Sequence, residues 1–419
     1  MASFALAQQL DQQDPLAHFR SEFAVDDAEL IYLDGNSLGR LPRRTIERLR
    51  EVAAVQWGQR LVRGWNDGWF EAASRIGGKI APLLGARSGE VIMADSTSVN
   101  LFKLVLAALQ CQRGRNKIVS DELNFPSDLY VLQGIARIAG DGYHIETVRS
   151  ADGLSISADA LASSIDSSTA IVALTHTCFK SGFVHDLPRI TEMAHRAGSL
   201  ILWDLSHSVG VMPLDLNSAE VDLAVGCTYK YLNGGPGAPA FLYVRDELQE
   251  QLQSPIWGWF GRRSQFDLSL NYEPASGIHR FLAGTPPILS LAAVEPGIDL
   301  VIEAGVDRIR AKSARQTEFL IELWREQLEP LGVTLNSPLD SQRRGSHVSL
   351  GHPEGLRVAR ALMEKMQVIP DFRRPDNIRF GIAPLYTSYR EIHTGVARLR
   401  RVLDERLFEK FGAETLTVT

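Results

Sequence analysis

The chain has little of what would mark it as one of several common protein classes. It carries three cysteines in 419 residues, Cys111, Cys178 and Cys227, and they lie far apart. No disulfide framework and no zinc-ligand spacing can be built from them, so no metal site is expected and a reducing compartment is the natural reading. No apolar run approaches the ~18 residues that a membrane span needs. Residues 1–11 lack the basic region and long apolar core of a secretory signal. A cytoplasmic protein without a membrane partner is therefore expected. Positive charge is not in excess: 44 Lys and Arg stand against 50 Asp and Glu, a net charge of −6. That balance favours solubility and argues against a nucleic-acid partner. Repeats, low-complexity blocks and long linkers are also missing. Gly234, Gly235 and Gly237 do not match the dinucleotide fingerprint, so no NAD site is read from them.

What remains is an ordinary globular composition, 45% hydrophobic and 22% charged, in a chain too long for one simple domain. Between residues 89 and 244, short β-rich runs alternate with helical stretches. Strands are expected at 91–93, 117–120, 143–148, 170–175, 200–203, 223–227 and 240–244. Helices are expected near 98–110, 126–139, 158–165 and 187–197. The last of these has Asp186 as cap, Pro188 in its first turn and Gly198 at its exit. Such alternation predicts an α/β fold with a mostly parallel, seven-stranded sheet flanked by helices. After about residue 290 the character changes. A long helical region near 291–329 precedes a strand at 347–350, a helix at 354–366, a strand at 377–382 and a last helix near 388–408. The expected organisation is an N-terminal arm and helix (1–55) packing with the small domain, a large domain (56–295) and a small α+β domain (296–419).

The chemistry centres on Lys230. It follows the apolar run Leu223–Cys227 and precedes a Gly-rich turn and a second strand. Buried lysine is rare unless paired or functional, and a lysine between two apolar strands beside Tyr229 suits a Schiff-base role. The competing reading is a solvated turn lysine. Upstream, Leu200-Ile-Leu-Trp203 ends in Asp204, a carboxylate costly to bury unpaired. The two together suggest pyridoxal phosphate (PLP), with the lysine for the aldehyde and the aspartate for the pyridinium nitrogen. Asp204 could instead cap the segment that follows, in which His207 could turn to the same place. Asp95-Ser96-Thr97-Ser98 opens an apolar helix whose free N–H groups could seat a phosphate, or could simply be capped. Asn124-Phe125-Pro126-Ser127-Asp128 again leads from strand to helix, placing Phe125 where ligands sit in open α/β sheets. Its ring could stack on a pyridine, whereas Asp128 could be only a first-turn carboxylate. Arg379 alternates with Ile378 and Phe380 on a strand. It could grip a substrate carboxylate bidentately or be an exposed strand arginine.

These segments, with Gly258-Trp-Phe-Gly261, Gly284-Thr-Pro-Pro287, Arg344-Gly-Ser-His-Val-Ser349 and Arg379-Phe-Gly-Ile-Ala-Pro-Leu-Tyr386, resemble the class V aminotransferase group of PLP-dependent fold-type I enzymes. Within that group they are similar to the kynureninases. The resemblance runs over nearly the whole chain. It implies that Lys230 bonds the cofactor and that Thr97 and Ser98 bind its phosphate. It places Phe125, Pro126, Ser127, Asp128, Thr175, Asp204 and His207 around the ring. It makes Tyr229 both a phosphate contact and a proton donor, and gives Arg379 the substrate's α-carboxylate. It implies a homodimer with Trp259 and Thr285 near the partner's site, and an amino-acid substrate. The implied reaction is hydrolysis of L-kynurenine, or its 3-hydroxy derivative, to anthranilate (3-hydroxyanthranilate) and L-alanine in tryptophan catabolism. Cysteine desulfurases differ: they carry a histidine before the lysine, stack a histidine on the ring and use a loop cysteine. Here Tyr229 and Phe125 stand at those positions, and residues 340–352 hold no cysteine. Trp65, Trp69, Trp257 and Trp259 form an aromatic set that could line the pocket or be core and interface. Two other readings stay open, another PLP reaction on the same fold and a non-catalytic PLP-binding regulator. No basic helix-turn-helix segment supports the second.

Overall fold

The computed structural model describes residues 2–412. A seven-stranded sheet holds the larger core. Its strands are β1 (Val91–Met93), β2 (Lys117–Asp121), β3 (His144–Val148), β4 (Thr169–Thr175), β5 (Leu200–Asp204), β6 (Leu223–Gly226) and β7 (Phe241–Val244). Their spatial order is β1-β7-β6-β5-β4-β2-β3, and β7 alone runs against the rest. Every residue of β4 and β5 is buried, which is why these strands read as continuous apolar runs rather than alternating ones. Each expected strand of this sheet is present, with ends shifted by a residue or so. Because six strands point the same way, their C-terminal ends share one edge. The turns leaving β1, β2, β5 and β6 deliver Thr97, Phe125, His207 and Lys230 to that edge.

The helices between the strands start where local chemistry dictates. Ser96 accepts from Val99 N to cap the helix Thr97–Cys111. Asp186 accepts from Arg189 N to cap Leu187–Arg196. The helix Pro126–Ala139 opens on its proline with no side-chain cap. The single helical region expected near 291–329 is two helices, Ile288–Ala304 and Val306–Gln327. They are separated by Gly305, whose φ of +80° a side chain would resist.

A second sheet, antiparallel, has the order β10-β11-β9-β8, with β8 (Thr334–Leu335), β9 (His347–Gly351), β10 (Asp371–Arg373) and β11 (Asn377–Gly381). Val348, Leu350, Ile378 and Phe380 belong to its own apolar core, separate from that of the large sheet. Residue alternation then turns Arg379 to the opposite face. The N-terminal segment is more regular than an arm with one helix. Helix Phe4–Gln12, capped by Ser3, packs on Tyr389–Asp404, and Asp11 accepts from Tyr389 N at 2.7 Å. Ile31–Tyr32 then pairs in parallel with Val368–Ile369, and Asp34 bridges to Gly381. Helix Arg43–Glu51 follows and packs on Ile288–Ala304. No helix among the described residues is long and apolar enough to cross a membrane.

Gly381 is where the N-terminal segment lies tightest on β11. A Cβ there would stand 1.7 Å from the Asn36 side-chain amide and 3.0 Å from the Asn36 backbone nitrogen. Gly381→Ala must therefore push the segment away. The expected cost is about 1–3 kcal/mol, as for other overpacked sites, read as a lower denaturant midpoint at unchanged slope.

Candidate active site

A cavity of about 280 Å³ opens between the C-terminal edge of the large sheet and the polar face of β10–β11. Lys230 enters it from the turn after β6, where it is half-buried. Its Nζ lies 3.2 Å from His207 Nε2, and 6.0 Å and 5.9 Å from the Phe125 and Tyr229 ring centroids. His207 is fully buried. Burial first, then Lys230, Arg379, His347 and Arg373, hold its pKa well below the usual histidine range. A neutral imidazole can accept a hydrogen bond from Lys230 Nζ without adding a second charge.

Asp204 ends β5 and accepts from Ser206 N at 2.7 Å. Asp128, in the first turn of Pro126–Ala139, is buried against it. Burial, and next the Asp204 carboxylate, push the Asp128 pKa well up. Asp128 thus keeps its proton and shares it with Asp204, leaving one negative charge on the pair. Ser98 Oγ and Ser127 Oγ meet at 3.2 Å, which brings the N-termini of Thr97–Cys111 and Pro126–Ala139 together at the cavity wall. Tyr229 lies next to Lys230. Its neighbour Cys227 and burial, with Asp204 and Asp128 adding to them, push the phenol pKa up, so Tyr229 keeps its proton across the neutral range. Arg379 reaches the cavity from the second sheet. Its guanidinium donates to Phe179 O at 2.6 Å and Ser37 Oγ at 2.8 Å, and pairs with Asp371.

The cavity thus gathers Thr97, Ser98, Phe125, Ser127, Asp128, Asp204, His207, Tyr229, Lys230 and Arg379. Four expected residues do not line it. Pro126 starts its helix. Thr175 is buried at the end of β4, in register with Asp204, and donates to Thr177 O at 3.4 Å. Thr285 lines a neighbouring pocket that also holds Asp95 and Ser96, at the outer side of the Thr97–Cys111 N-terminus. Trp259 is exposed, with its ring edge-on to Phe260. None of Trp65, Trp69 and Trp257 lines the cavity either. Trp65 packs on Trp69, Phe70 and Phe260, and Trp257 stacks on Tyr272.

The class-V aminotransferase family model matches residues 31–364. A kynureninase from Pseudomonas fluorescens is 44% identical over 402 residues, covering 95% of this chain and 94% of that protein. One from Burkholderia pseudomallei is 42% identical over 400 residues, covering 94% of each. The chain belongs to the kynureninase family. Among solved structures, a cysteine desulfurase from Thermococcus onnurineus NA1 superposes with a TM-score of 0.80 at 21% identity, covering 93% of this chain and 98% of that one. A C-DES variant with glycine covalently linked to its PLP cofactor also gives 0.80, at 20% identity, covering 91% and 98%. At such identities these two establish the fold, which is that of the PLP-dependent class V enzymes.

The residues present fit the PLP of the kynureninase family. The Asp128–Asp204 pair is a buried carboxylate with one shared proton, a setting for a protonated ring nitrogen. The Ser98–Ser127 junction offers hydroxyls and free helix N–H groups to an anion. Lys230 is the only lysine at the cavity among the described residues. No cysteine lines the wall: Cys227 is buried against Ser206, Cys178 is buried and Cys111 is exposed. Sequence reasoning missed Asn36, Ser37, Phe179, Ser206 and Arg373, all of which line the cavity. Asp34-Gly-Asn-Ser37 carried one usable signal, a short polar turn between Leu33 and Leu38. Arg373 carried another, since it shares a strand face with Asp371 at a spacing of two.

Proposed function

We propose that this protein hydrolyses L-kynurenine to anthranilate and L-alanine, breaking the bond between Cβ and the aryl ketone carbon with one water consumed. The observation that carries the reading is the meeting, in one cavity of a kynureninase-family chain, of Lys230, the Asp128–Asp204 pair and Arg379. Thr97, Ser98, Ser127, Phe125, Asp204 and Lys230 would hold PLP, with Thr175 and Pro126 supporting the wall. Bound there, PLP supplies an electron sink for the substrate's α-carbon.

The chain's own residues supply the rest. Arg379 binds the α-carboxylate and orients the amino acid in the cavity. Lys230 Nζ removes the α-proton, and neutral His207 beside it accepts a hydrogen bond without competing as a cation. Asp204 would offer its carboxylate to the protonated ring nitrogen. Tyr229, which retains its proton, delivers it to the carbon that becomes the alanine methyl group. Steps of this kind are each worth about 10²–10⁴-fold in rate.

The active form in this reading is a homodimer in which Trp259 and Thr285 serve the partner's phosphate seat. Their exposure, next to exposed Trp257, Phe266 and Leu289, supports that assignment, since an apolar surface of this kind favours burial against a partner. The arm at 1–55, the large domain at 56–295 and the small domain at 296–419 form the working division; the two separate apolar cores support two domains, with helix Ile288–Ala304 belonging to the large one and the arm contributing to both. Incubation of the PLP-loaded protein with L-kynurenine is expected to release anthranilate, seen by its fluorescence, and alanine in equal amounts, with no keto-acid acceptor. Absence of anthranilate, or a requirement for an acceptor, would overturn the proposal.

A further inference from the structure

Arg379 has few hydrogens left for a substrate. A guanidinium offers five N–H donors. Phe179 O takes one on Nη1, and Ser37 Oγ and Asp371 take the two on Nη2. With its amide turned so that the oxygen faces the guanidinium, Asn36 accepts from Nε at 3.0 Å. One Nη1 hydrogen remains. A bidentate grip on a carboxylate needs two parallel N–H donors, and Arg379 cannot provide them while its own supports stay in place.

The second source of donors is Arg373. It lines the same cavity and shares a strand face with Asp371, which stands opposite Arg379 across the β10–β11 ladder. Its Nη2 lies 3.0 Å from Asp371 Oδ2 and its Nη1 donates to Phe372 O at 3.3 Å. Its Nε is buried without a hydrogen-bond partner. Leaving such a donor unmet is costly unless something arrives to meet it. The charges agree. Asp371 lies between the two guanidiniums, and Asp34, buried behind them, has its pKa pushed up to about 7 by burial and by Asp371. Asp34 therefore carries less than a full negative charge near neutral pH, so the two guanidiniums around Asp371 keep positive charge in excess, which suits a substrate carboxylate.

We infer that Arg373 is a second substrate-binding residue, and that the α-carboxylate of the amino acid lies between Arg373 and Arg379 above Asp371. The inference rests on the amino-acid reading of the site given above. It does not require that the amino acid be kynurenine.

The test uses the PLP-loaded protein and two small probes, L-alanine and ethylamine, an amine without a carboxylate, with binding read from the change in cofactor absorbance. Arg373→Gln is expected to weaken L-alanine binding about 10- to 100-fold, the size of a lost charge-assisted hydrogen bond, and to leave ethylamine binding within about twofold. Arg373→Lys, a point charge without the fork, should fall between. With L-kynurenine the same variants should raise KM and leave kcat within a few-fold. Unchanged alanine binding in Arg373→Gln would overturn the inference. So would equal weakening of both probes, which would mark a structural role. Thermal melting of both variants shows whether the fold is kept, and Arg373→Lys carries the comparison if Arg373→Gln is unfolded. A wild-type protein that binds alanine through Arg373 and yet fails to cleave kynurenine would remove the proposed reaction and keep the two-arginine grip.

Discussion

Lys230→Ala is expected to lower kcat on L-kynurenine by about 10⁴-fold or more. Two functions vanish with one side chain, the covalent hold on the cofactor and the base for the α-proton. Nothing nearby can substitute. Lys103, the buried lysine of the Thr97–Cys111 helix, is tied to Asp95 and to Phe281 O, each at 2.7 Å. His207 is held neutral and sits beside the lysine position rather than in its place. The variant should still bind PLP through the Ser98–Ser127 junction and Asp204, but without the absorbance band of the lysine-bound form. Residual turnover within about a hundredfold of wild type would remove Lys230 from the proposed chemistry.

The two buried aspartates should respond unequally. Asp204→Asn is expected to lower kcat by about 10²–10³-fold, the scale for deleting one preorganised electrostatic partner. Asp128→Asn should change it by less than about tenfold. The reason is the proton. Burial and Asp204 keep Asp128 protonated, so an amide in its place still offers a donor to Asp204. In Asp204 the same change removes the charge that a protonated ring nitrogen needs. Steady-state kinetics of both variants, with PLP affinity measured alongside, check the ranking. Equal losses, or the larger loss at residue 128, would assign the charge to the wrong member of the pair.

Much of the frame is legible in the sequence, and the reason is burial. β4 and β5 are covered on both faces, so their sequences are uninterrupted apolar runs and their ends are marked by the first polar residue. Asp204 and Lys230 stood out because they break such runs. The helix at 187–197 was legible from Asp186 and Pro188. What stayed hidden depended on docking between distant segments. Nothing local in Phe179 or Ser37 says that one will offer a carbonyl and the other a hydroxyl to Arg379. The break at Gly305 fell inside a stretch whose composition is helical on both sides. Of the two readings open for the tryptophans, Trp65 and Trp69 take the packing one, their rings meeting each other and, for Trp65, Phe260.

The supports of Arg379 also bear on how the molecule comes together. Ser37 and Phe179 are 342 and 200 residues from it along the chain. Closing loops of that length restricts the chain's conformational freedom; the Ser37 contact needs the N-terminal segment docked on the second sheet, and the Phe179 contact needs the large domain docked there. A chain that had built its seven-stranded sheet alone would own a seat for the cofactor and no means of orienting an amino acid on it. Recognition of the substrate is thus a property of the finished topology, and the reactive lysine meets a correctly held amino acid only when the most distant parts of the polypeptide are already in place.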